Sequence, residues 1–246
     1  MLQVFDLNKR FGAVQASDNL SFSVKRGEIH ALIGPNGAGK TTAINQLAGE
    51  IRPDSGSILF DNEDITSWPV HTRALRGLSR SFQISAIFEH LTIEEYLALA
   101  VQAHKGHNFR FWRKASCDPQ LTEPTRQALE LIGLEERAQD PASNLSHGEK
   151  RQLEVGMALA GNPKMLLLDE PMAGMGPGGT IQLAELIRSL KGSVTMLLVE
   201  HDMDVVFSLA DRITVLVYGE AIATGSPDEI RSNTAVQRAY LGEESC

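Results

Sequence analysis

The sequence predicts an α/β protein with a mainly parallel sheet, an antiparallel β part near the N-terminus and an inserted helical subdomain. Three observations lead to this prediction. The last third of the chain alternates apolar runs of strand length with helical patterns, which is typical of a parallel sheet covered on both faces. The N-terminal part contains short β-rich runs separated by turn residues. The middle part has helical spacing and little strand signal.

The predicted elements can be placed along the chain by these patterns. Strands are expected at residues 2–7, 20–24, 28–33, 57–60, 165–169, 194–199 and 213–217. Helices are expected at residues 41–47, 92–100, 125–132 and 181–190. Thr92 and Glu95 have the spacing of a capping box, and Gly133 is expected to end the third helix. A polar, proline-marked stretch, 105–124, precedes that helix.

We interpret the chain, residues 1–246, as a single discontinuous domain. Core residues 1–82 and 160–246 enclose a helical subdomain at about residues 83–159. The formal net charge, 23 − 31 = −8, disfavours a nucleic-acid binder. The two cysteines suggest neither a metal site nor a disulfide framework. We find no signal peptide and no long apolar run, so a cytosolic location is expected.

A phosphate-binding loop is the most specific feature of the sequence. The run from Gly34 to Thr41 matches G-x-x-x-x-G-K-[ST] and lies between a predicted strand and a predicted helix. Backbone N–H groups and the helix N-terminus would bind phosphate oxygens, Lys40 the β- and γ-phosphates, and Thr41 a Mg²⁺ ion. This predicts a P-loop NTPase core with ATP and Mg²⁺; a glycine-rich turn is the alternative. The candidate ATP-binding residues in this segment are Gly34, Pro35, Asn36, Gly37, Ala38, Gly39, Lys40, Thr41 and Thr42.

Two carboxylates, Asp169 and Glu170, follow an apolar run of strand length. Asp169 fits the position of a Mg²⁺ ligand that acts through water. Glu170 lies where the strand ends, so its side chain can turn toward the γ-phosphate and act as a general base. An acidic loop that merely caps a strand is the alternative.

Three further residues resemble those of the ATP-binding cassette family and occur in its order along the chain. Phe11 resembles the aromatic residue that stacks on adenine, with a core aromatic as the alternative. Gln83 resembles the glutamine that opens the helical insertion and approaches Mg²⁺, with a surface amide as the alternative. His201 resembles the switch histidine that contacts the γ-phosphate, with a structural histidine as the alternative. The resemblance implies that Glu170, His201 and Lys40 are catalytic and that Thr41, Gln83 and Asp169 contact Mg²⁺.

The segment from residue 145 to residue 152 resembles the family signature, which is usually L-S-G-G-Q. His147 replaces the first glycine and Glu149 replaces the glutamine. Ser146 and Glu149 have capping-box spacing, so the segment is expected to begin a helix and to present N–H donors to an anion. A helix cap alone is the alternative. The resemblance implies that Ser146, His147, Gly148 and Glu149 contact ATP held by a partner cassette. Gly176 is a further departure, since aspartate is common there.

The resemblance implies an ATP-hydrolysing subunit of a transporter. Residues 173–175, 199–204 and 240–242 look like those of branched-chain amino-acid importers. An exporter cassette, such as one for lipopolysaccharide, is the runner-up. An ABC ATPase that acts on nucleic acid is disfavoured by the single cassette and the net charge of −8. Glu170 and His201 argue against a non-hydrolysing switch.

The implied partners are a second cassette, identical or paralogous, in a head-to-tail dimer, and separate transmembrane permeases. A solute-binding protein outside the membrane would complete the system, whereas nucleic acid is not an expected partner. The chain would lie peripherally on the cytoplasmic side of the inner membrane. The apolar run at residues 84–88 is a candidate permease contact, or it packs inside the insertion. The aromatic and basic residues at 109–114 could contact lipid headgroups, or form a packed loop.

Overall fold

The computed structural model of the protein describes residues 1–81, 91–105 and 118–241. Its strands are β1 (Leu2–Phe11), β2 (Val14–Val24), β3 (Ile29–Ile33), β4 (Ser55–Phe60), β5 (Glu63–Asp64), β6 (Leu78–Arg80), β7 (Met165–Asp169), β8 (Thr195–Val199), β9 (Arg212–Val217) and β10 (Glu220–Gly225). Its helices are α1 (Lys40–Ala48), α2 (Val70–Leu75), α3 (Ile93–Lys105), α4 (Pro119–Ile132), α5 (His147–Leu159), α6 (Pro177–Ser189), α7 (Met203–Leu209), α8 (Pro227–Ser232) and α9 (Thr234–Leu241).

The larger sheet has six strands in the order β10, β9, β3, β8, β7, β6. All neighbouring pairs are parallel except β9 and β10, which are antiparallel. The three apolar runs that predict buried strands form β7, β8 and β9, and the predicted strand before the phosphate loop forms β3, between β9 and β8. Because these strands are parallel neighbours, the segments that follow them leave the sheet at one edge, which we call the carboxyl edge. The predicted fold class is confirmed.

A second, antiparallel sheet has the order β2, β1, β4, β5 and covers one face of the first. Side-chain alternation along β8 makes this layering possible. Leu197 and Val199 are buried in a cluster with α1 and the antiparallel sheet. Met196 and Leu198 are buried in the cluster on the other face, with residues of α3 to α7. Helix α1 therefore packs between the two sheets.

Between residues 83 and 159, the described part of the chain contains the α-helices α3, α4 and α5. The predicted capping box is present at α3, since the Thr92 N–H donates to a Glu95 carboxylate oxygen at 2.9 Å and the Glu95 N–H donates to Thr92 Oγ1 at 3.2 Å. The predicted start of the next helix at residue 125 is wrong, because α4 begins at Pro119. Asp118 caps it by accepting the Gln120 N–H at 3.0 Å, and the helix continues through its internal proline.

The sequence analysis did not predict three of the described strands, β5, β6 and β10. The division into core residues 1–82 and 160–246 and a helical subdomain at about 83–159 stays a prediction. None of the helices within the described ranges combines the length and apolar character that crossing a membrane requires.

Candidate functional site

The phosphate loop connects β3 to α1, and glycines determine its shape. Gly39 precedes α1 in the left-handed conformation, with φ at 102°, which glycine adopts readily. A Cβ atom there would come within 2.2 Å of the Ala16 carbonyl oxygen. A Cβ atom at Gly34 would come within 2.2 Å of the Leu216 carbonyl oxygen. Both positions require glycine for the loop to pack against β2 and β9.

The Lys40 side chain folds back into this loop. Its ammonium donates hydrogen bonds to the carbonyl oxygens of Gly34, at 2.7 Å, and Pro35, at 3.0 Å. Lys40 is buried, whereas Asn36 and Thr41 are exposed. A positive charge is thus fixed beside the N-terminus of α1, and both features favour an anion. In the rest of the segment Gly37 is exposed, Pro35, Gly39 and Thr42 are half-buried, and Gly34 and Ala38 are buried.

Contacts from two directions hold the loop and its helix. Gly219, in the turn between β9 and β10, donates its N–H to the Ala38 carbonyl oxygen at 2.9 Å. Arg73 is almost fully buried and donates to the carbonyl oxygens of Gln46, at 2.7 Å, and Leu47, at 2.6 Å, near the C-terminus of α1. Burial lowers the pKa of Arg73 to about 10, so this side chain stays charged at neutral pH. Both ends of α1 are therefore anchored.

The two predicted carboxylates lie at the carboxyl edge. Asp169 is the last residue of β7, and Glu170 follows it directly. Arg80, the last residue of β6, donates to Asp169 Oδ2 at 2.9 Å and to Asn45 Oδ1 at 2.7 Å. Burial raises the pKa of Asp169 above its ordinary value, and the Arg80 charge partly offsets this effect. The guanidinium thus holds the carboxylate against α1, the helix that also carries Thr41.

The available oxygen donors fit a Mg²⁺ ion. Within the described ranges no group of three or more His, Cys, Asp or Glu side chains could hold a metal. Mg²⁺ beside a nucleotide usually needs only one or two protein ligands, with phosphate and water oxygens supplying the rest. The Thr41 hydroxyl and the Asp169 carboxylate are hard donors of that kind. Gln83, the third predicted contact, lies outside the described residues, as do 84–88 and 109–114.

The segment after β7 is fastened to the end of β8. Glu170 has a left-handed backbone, with φ at 46°, which is uncommon for a residue with a side chain. Its N–H donates to the Val199 carbonyl oxygen at 2.9 Å. The Met172 N–H donates to Glu200 Oε1 at 2.9 Å, and the His201 N–H donates to Glu200 Oε2 at 3.2 Å. Hydrogen bonds thus join the segment of the predicted base, Glu170, to Val199 and Glu200 at the end of β8. Glu200 also binds the amide of His201, the predicted switch histidine.

Glu200 is the residue that the sequence interpretation missed. Only 1% of it is exposed, and burial raises the pKa of its carboxyl group above the ordinary value. The neighbouring His201 side chain is 62% exposed, so it is accessible to a ligand. The available signal was a charged residue directly after a mostly apolar strand, all of whose residues are buried.

Phe11 ends β1 as an exposed aromatic side chain. It is 48% exposed, so the alternative of a core aromatic is excluded. The Lys9 ammonium lies 5.5 Å from the ring centroid and pairs with Asp54 at 2.7 Å. Val14, which pairs with Phe11 across the β1–β2 turn, is 64% exposed. An apolar surface therefore lies near the point where β2 contacts the phosphate loop at Ala16.

The signature segment begins α5 with the predicted capping box. The Ser146 N–H donates to Glu149 Oε2 at 2.8 Å, and the Glu149 N–H donates to Ser146 Oγ at 3.3 Å. Burial tends to raise the pKa of Glu149, but hydrogen bonds from Ser146 and Arg137 lower it below its ordinary value. His147 is exposed, and its ring lies 3.7 Å from where a Cβ atom at Gly174 would stand. The two departures are thus accommodated by local contacts.

The structure brings most of the predicted site together but leaves the signature elsewhere. The phosphate loop, Asp169, Glu170 and His201 follow β3, β7 and β8 at the carboxyl edge. Helix α5 instead packs mainly on α3, α4 and α6, with a smaller contact to β6, whereas α1 packs on β2, β6 and β7. Gly148 lies against α6 and its preceding loop, since a Cβ atom there would come within 3.3 Å of Met175 Cε.

Family models and relatives match nearly the whole chain. Residues 17–173 match the ABC transporter family, and residues 222–245 match a branched-chain amino acid ATP-binding cassette transporter family. The chain is 38% identical to BraF of Pseudomonas aeruginosa, a high-affinity branched-chain amino acid transport ATP-binding protein, over 99% of the chain and 98% of the relative. It is 40% identical to LivG of Salmonella typhimurium, which has the same description, with the same coverage. LptB of Haemophilus influenzae, a lipopolysaccharide export ATP-binding protein, is 33% identical, also at 99% and 98% coverage.

Solved structures of ATP-binding cassettes are also similar to this chain. The ADP conformation of an ATP-binding cassette of an ABC transporter has a TM-score of 0.86 and 30% identity, and 98% of each chain is covered. A dimeric bacterial ABC transporter cassette has a TM-score of 0.77 and 23% identity, with 92% of this chain and 99% of that chain covered. The second structure is similar in fold alone.

Proposed function

Because the chain belongs to the ABC transporter family, we propose that it is the ATP-hydrolysing subunit of an importer for branched-chain amino acids. The observation that carries the ATPase assignment is the meeting of the phosphate loop, Asp169, Glu170 and His201 at the carboxyl edge. The solute class depends on the relatives' descriptions and on the C-terminal family match. Separate membrane subunits would form the pore.

The geometry of the site supports separate roles for its residues in ATP hydrolysis. Loop N–H groups and the Lys40 ammonium bind the β- and γ-phosphates. Thr41 and Asp169 would hold Mg²⁺, Asp169 through water, and the ion would supply positive charge that offsets the charge developing on the phosphate oxygens. Glu170 orients the attacking water and accepts its proton. His201, exposed at the same edge, contacts the γ-phosphate.

The position of the signature supports a head-to-tail dimer. Helix α5, which the signature segment begins, packs mainly on α3, α4 and α6, whereas α1 packs on β2, β6 and β7. In the proposed dimer, Ser146 and Gly148 of one protomer therefore complete the ATP site of the other. The exposed His147 would lie at the same interface, whereas the Glu149 carboxylate is directed to Ser146 and Arg137. The related dimeric cassette offers a precedent for pairing in this fold.

The exposed Phe11 ring predicts how the nucleotide base is held. Stacking depends on shape and not on base-specific hydrogen bonds, so Phe11→Ala should weaken ATP binding by about 1–3 kcal/mol. GTP should be accepted with only a modest loss of affinity for the same reason. Calorimetric titration of both nucleotides measures these effects. An unchanged ATP affinity in the variant would place the base elsewhere.

A transport assay tests the choice between import and export. The importer relatives are 38% and 40% identical, whereas the lipopolysaccharide exporter relative is 33% identical, which favours import. The protein purified with its permeases in proteoliposomes should take up leucine, isoleucine or valine when ATP and the solute-binding protein are supplied. The Glu170→Gln complex is the matched control. ATPase stimulation by lipopolysaccharide but not by these amino acids would overturn the import assignment.

A further inference from the structure

We propose that Glu200 is a positioning residue for hydrolysis, whose buried carboxylate holds the backbone that carries Glu170. This inference rests on the proposed role of Glu170 as the general base. Glu200 does not contact the nucleotide in this proposal. It acts through the Met172 amide, two residues after Glu170, which it binds at 2.9 Å.

The backbone at Glu170 needs such support. Its left-handed conformation is unfavourable for a glutamate and persists only where neighbouring contacts impose it. Val199 accepts the Glu170 N–H at 2.9 Å, and the Glu170 carbonyl oxygen accepts the Ala173 N–H at 3.1 Å. The Glu200 carboxylate fixes the amide between these two contacts. Removing it would let the turn relax and would move the Glu170 side chain from its position.

The chemistry of Glu200 also points to a role beyond packing. A buried carboxylate is unfavourable unless hydrogen bonds satisfy it. In the described part of the chain, no lysine or arginine forms an ion pair with Glu200, and the basic group beside it is the His201 imidazole, with Nδ1 at 3.8 Å from Glu200 Oε2. The two carboxylate oxygens of Glu200 accept hydrogen bonds from the N–H groups of Met172 and His201. One carboxylate therefore orders the backbone of both loops that reach the γ-phosphate.

The primary test is Glu200→Gln. Glutamine keeps the shape, but its amide NH₂ would face one of the two N–H donors. Misplacement of a catalytic group can reduce turnover by about 10²-fold, and we expect a loss of that order in kcat. The KM for ATP should change by less than about threefold, because the phosphate loop is untouched. Phosphate release measures both constants, and thermal unfolding measures the stability of the variant.

Glu28→Gln is the matched control. Glu28 is also buried, at 8% exposed, and accepts a backbone N–H, from Lys25 at 2.7 Å. It precedes β3 and therefore lies at the opposite end of the sheet from the carboxyl edge. This control should lose stability comparably but keep wild-type kcat. A second variant, Glu200→Asp, keeps the charge yet no longer reaches the Met172 amide, so kcat should fall even if Glu200→Gln does not fold.

A double-mutant cycle distinguishes positioning from a general structural effect. If Glu200 acts through Glu170, adding Glu200→Gln to Glu170→Gln should lower kcat by less than about threefold further, because residues that act as a unit are strongly non-additive. The inference would be overturned if the losses in kcat of Glu200→Gln and Glu170→Gln multiplied in the double variant, or if Glu200→Asp kept wild-type kcat. Failure of Glu170→Gln itself to slow hydrolysis would instead refute the proposed general base.

Discussion

Replacing Lys40 with alanine should abolish measurable ATP hydrolysis while the fold stays intact. The Lys40 ammonium is the only formal positive charge in the phosphate loop, and the carbonyl oxygens of Gly34 and Pro35 hold it there. Its loss removes the point charge that binds the β- and γ-phosphates in ground and transition states. Phosphate release under saturating Mg-ATP is the measurement, and circular dichroism monitors the fold.

Lys191→Ala is the control for the loss of a lysine. Lys191 pairs with Asp211 at 2.6 Å, and Asp211 in turn accepts the N–H of Ile29 at the start of β3, at the end of the sheet opposite the phosphate loop. Hydrolysis by this variant should match wild type. If the Lys40→Ala variant kept turnover within about threefold of wild type, the role assigned to the phosphate loop would be wrong.

The sequence could predict the phosphate loop and the two carboxylates because each of them is encoded locally. The phosphate loop is a contiguous motif whose glycines meet local backbone demands, as at Gly39. Asp169 and Glu170 follow an apolar run of the length expected for a buried strand. The order of the parallel strands, in which β8 lies between β3 and β7, then brings these segments to one edge, and the structure shows this order. The capping boxes at Thr92 and Ser146 are local as well, and both were predicted correctly.

Features that depend on tertiary contacts were harder to predict. Helix α4 runs from Pro119 through Pro124, although Pro124 cannot donate an intrahelical hydrogen bond. Asp118 caps the helix, and a buried stripe of five residues packs it on α3 and α5. The short β6 is stabilised as a parallel neighbour of β7, which its own three residues cannot indicate. Propensity is a weak guide where packing decides.

Glu200 and Arg80 illustrate the same limit within the site. Each is a charged residue whose partners lie far away in sequence: Met172 for Glu200, and Asn45 and Asp169 for Arg80. A single sequence indicates their charge but not the amide or carboxylate that each will meet. The residues proposed to contact ATP follow family motifs, whereas the partners of Glu200 and Arg80 become visible only when the strands are assembled.

Glu170→Gln should slow hydrolysis by about 10²–10⁴-fold, because glutamine keeps the shape of the side chain but cannot accept a proton from water. The substitution leaves Lys40, Thr41 and Asp169 unchanged, so ATP should still bind. ATP that is bound but not hydrolysed would hold two protomers together through Ser146 and Gly148. The variant should therefore accumulate as a dimer with ATP and remain monomeric with ADP, as measured by light scattering.

Adding Ser146→Arg to Glu170→Gln tests the contact across the dimer. Ser146 is exposed as the N-cap of α5, so a large charged side chain there should block the partner's ATP and abolish the dimer. A Glu170→Gln protein that stays monomeric at high ATP would contradict autonomous pairing and would point to a paralogous cassette or the permeases as the required partner. A variant that hydrolyses ATP at the wild-type rate would remove Glu170 from the catalytic assignment. Light scattering therefore tests the contact of the signature with the partner's ATP, whereas phosphate release tests the role of Glu170 as the base.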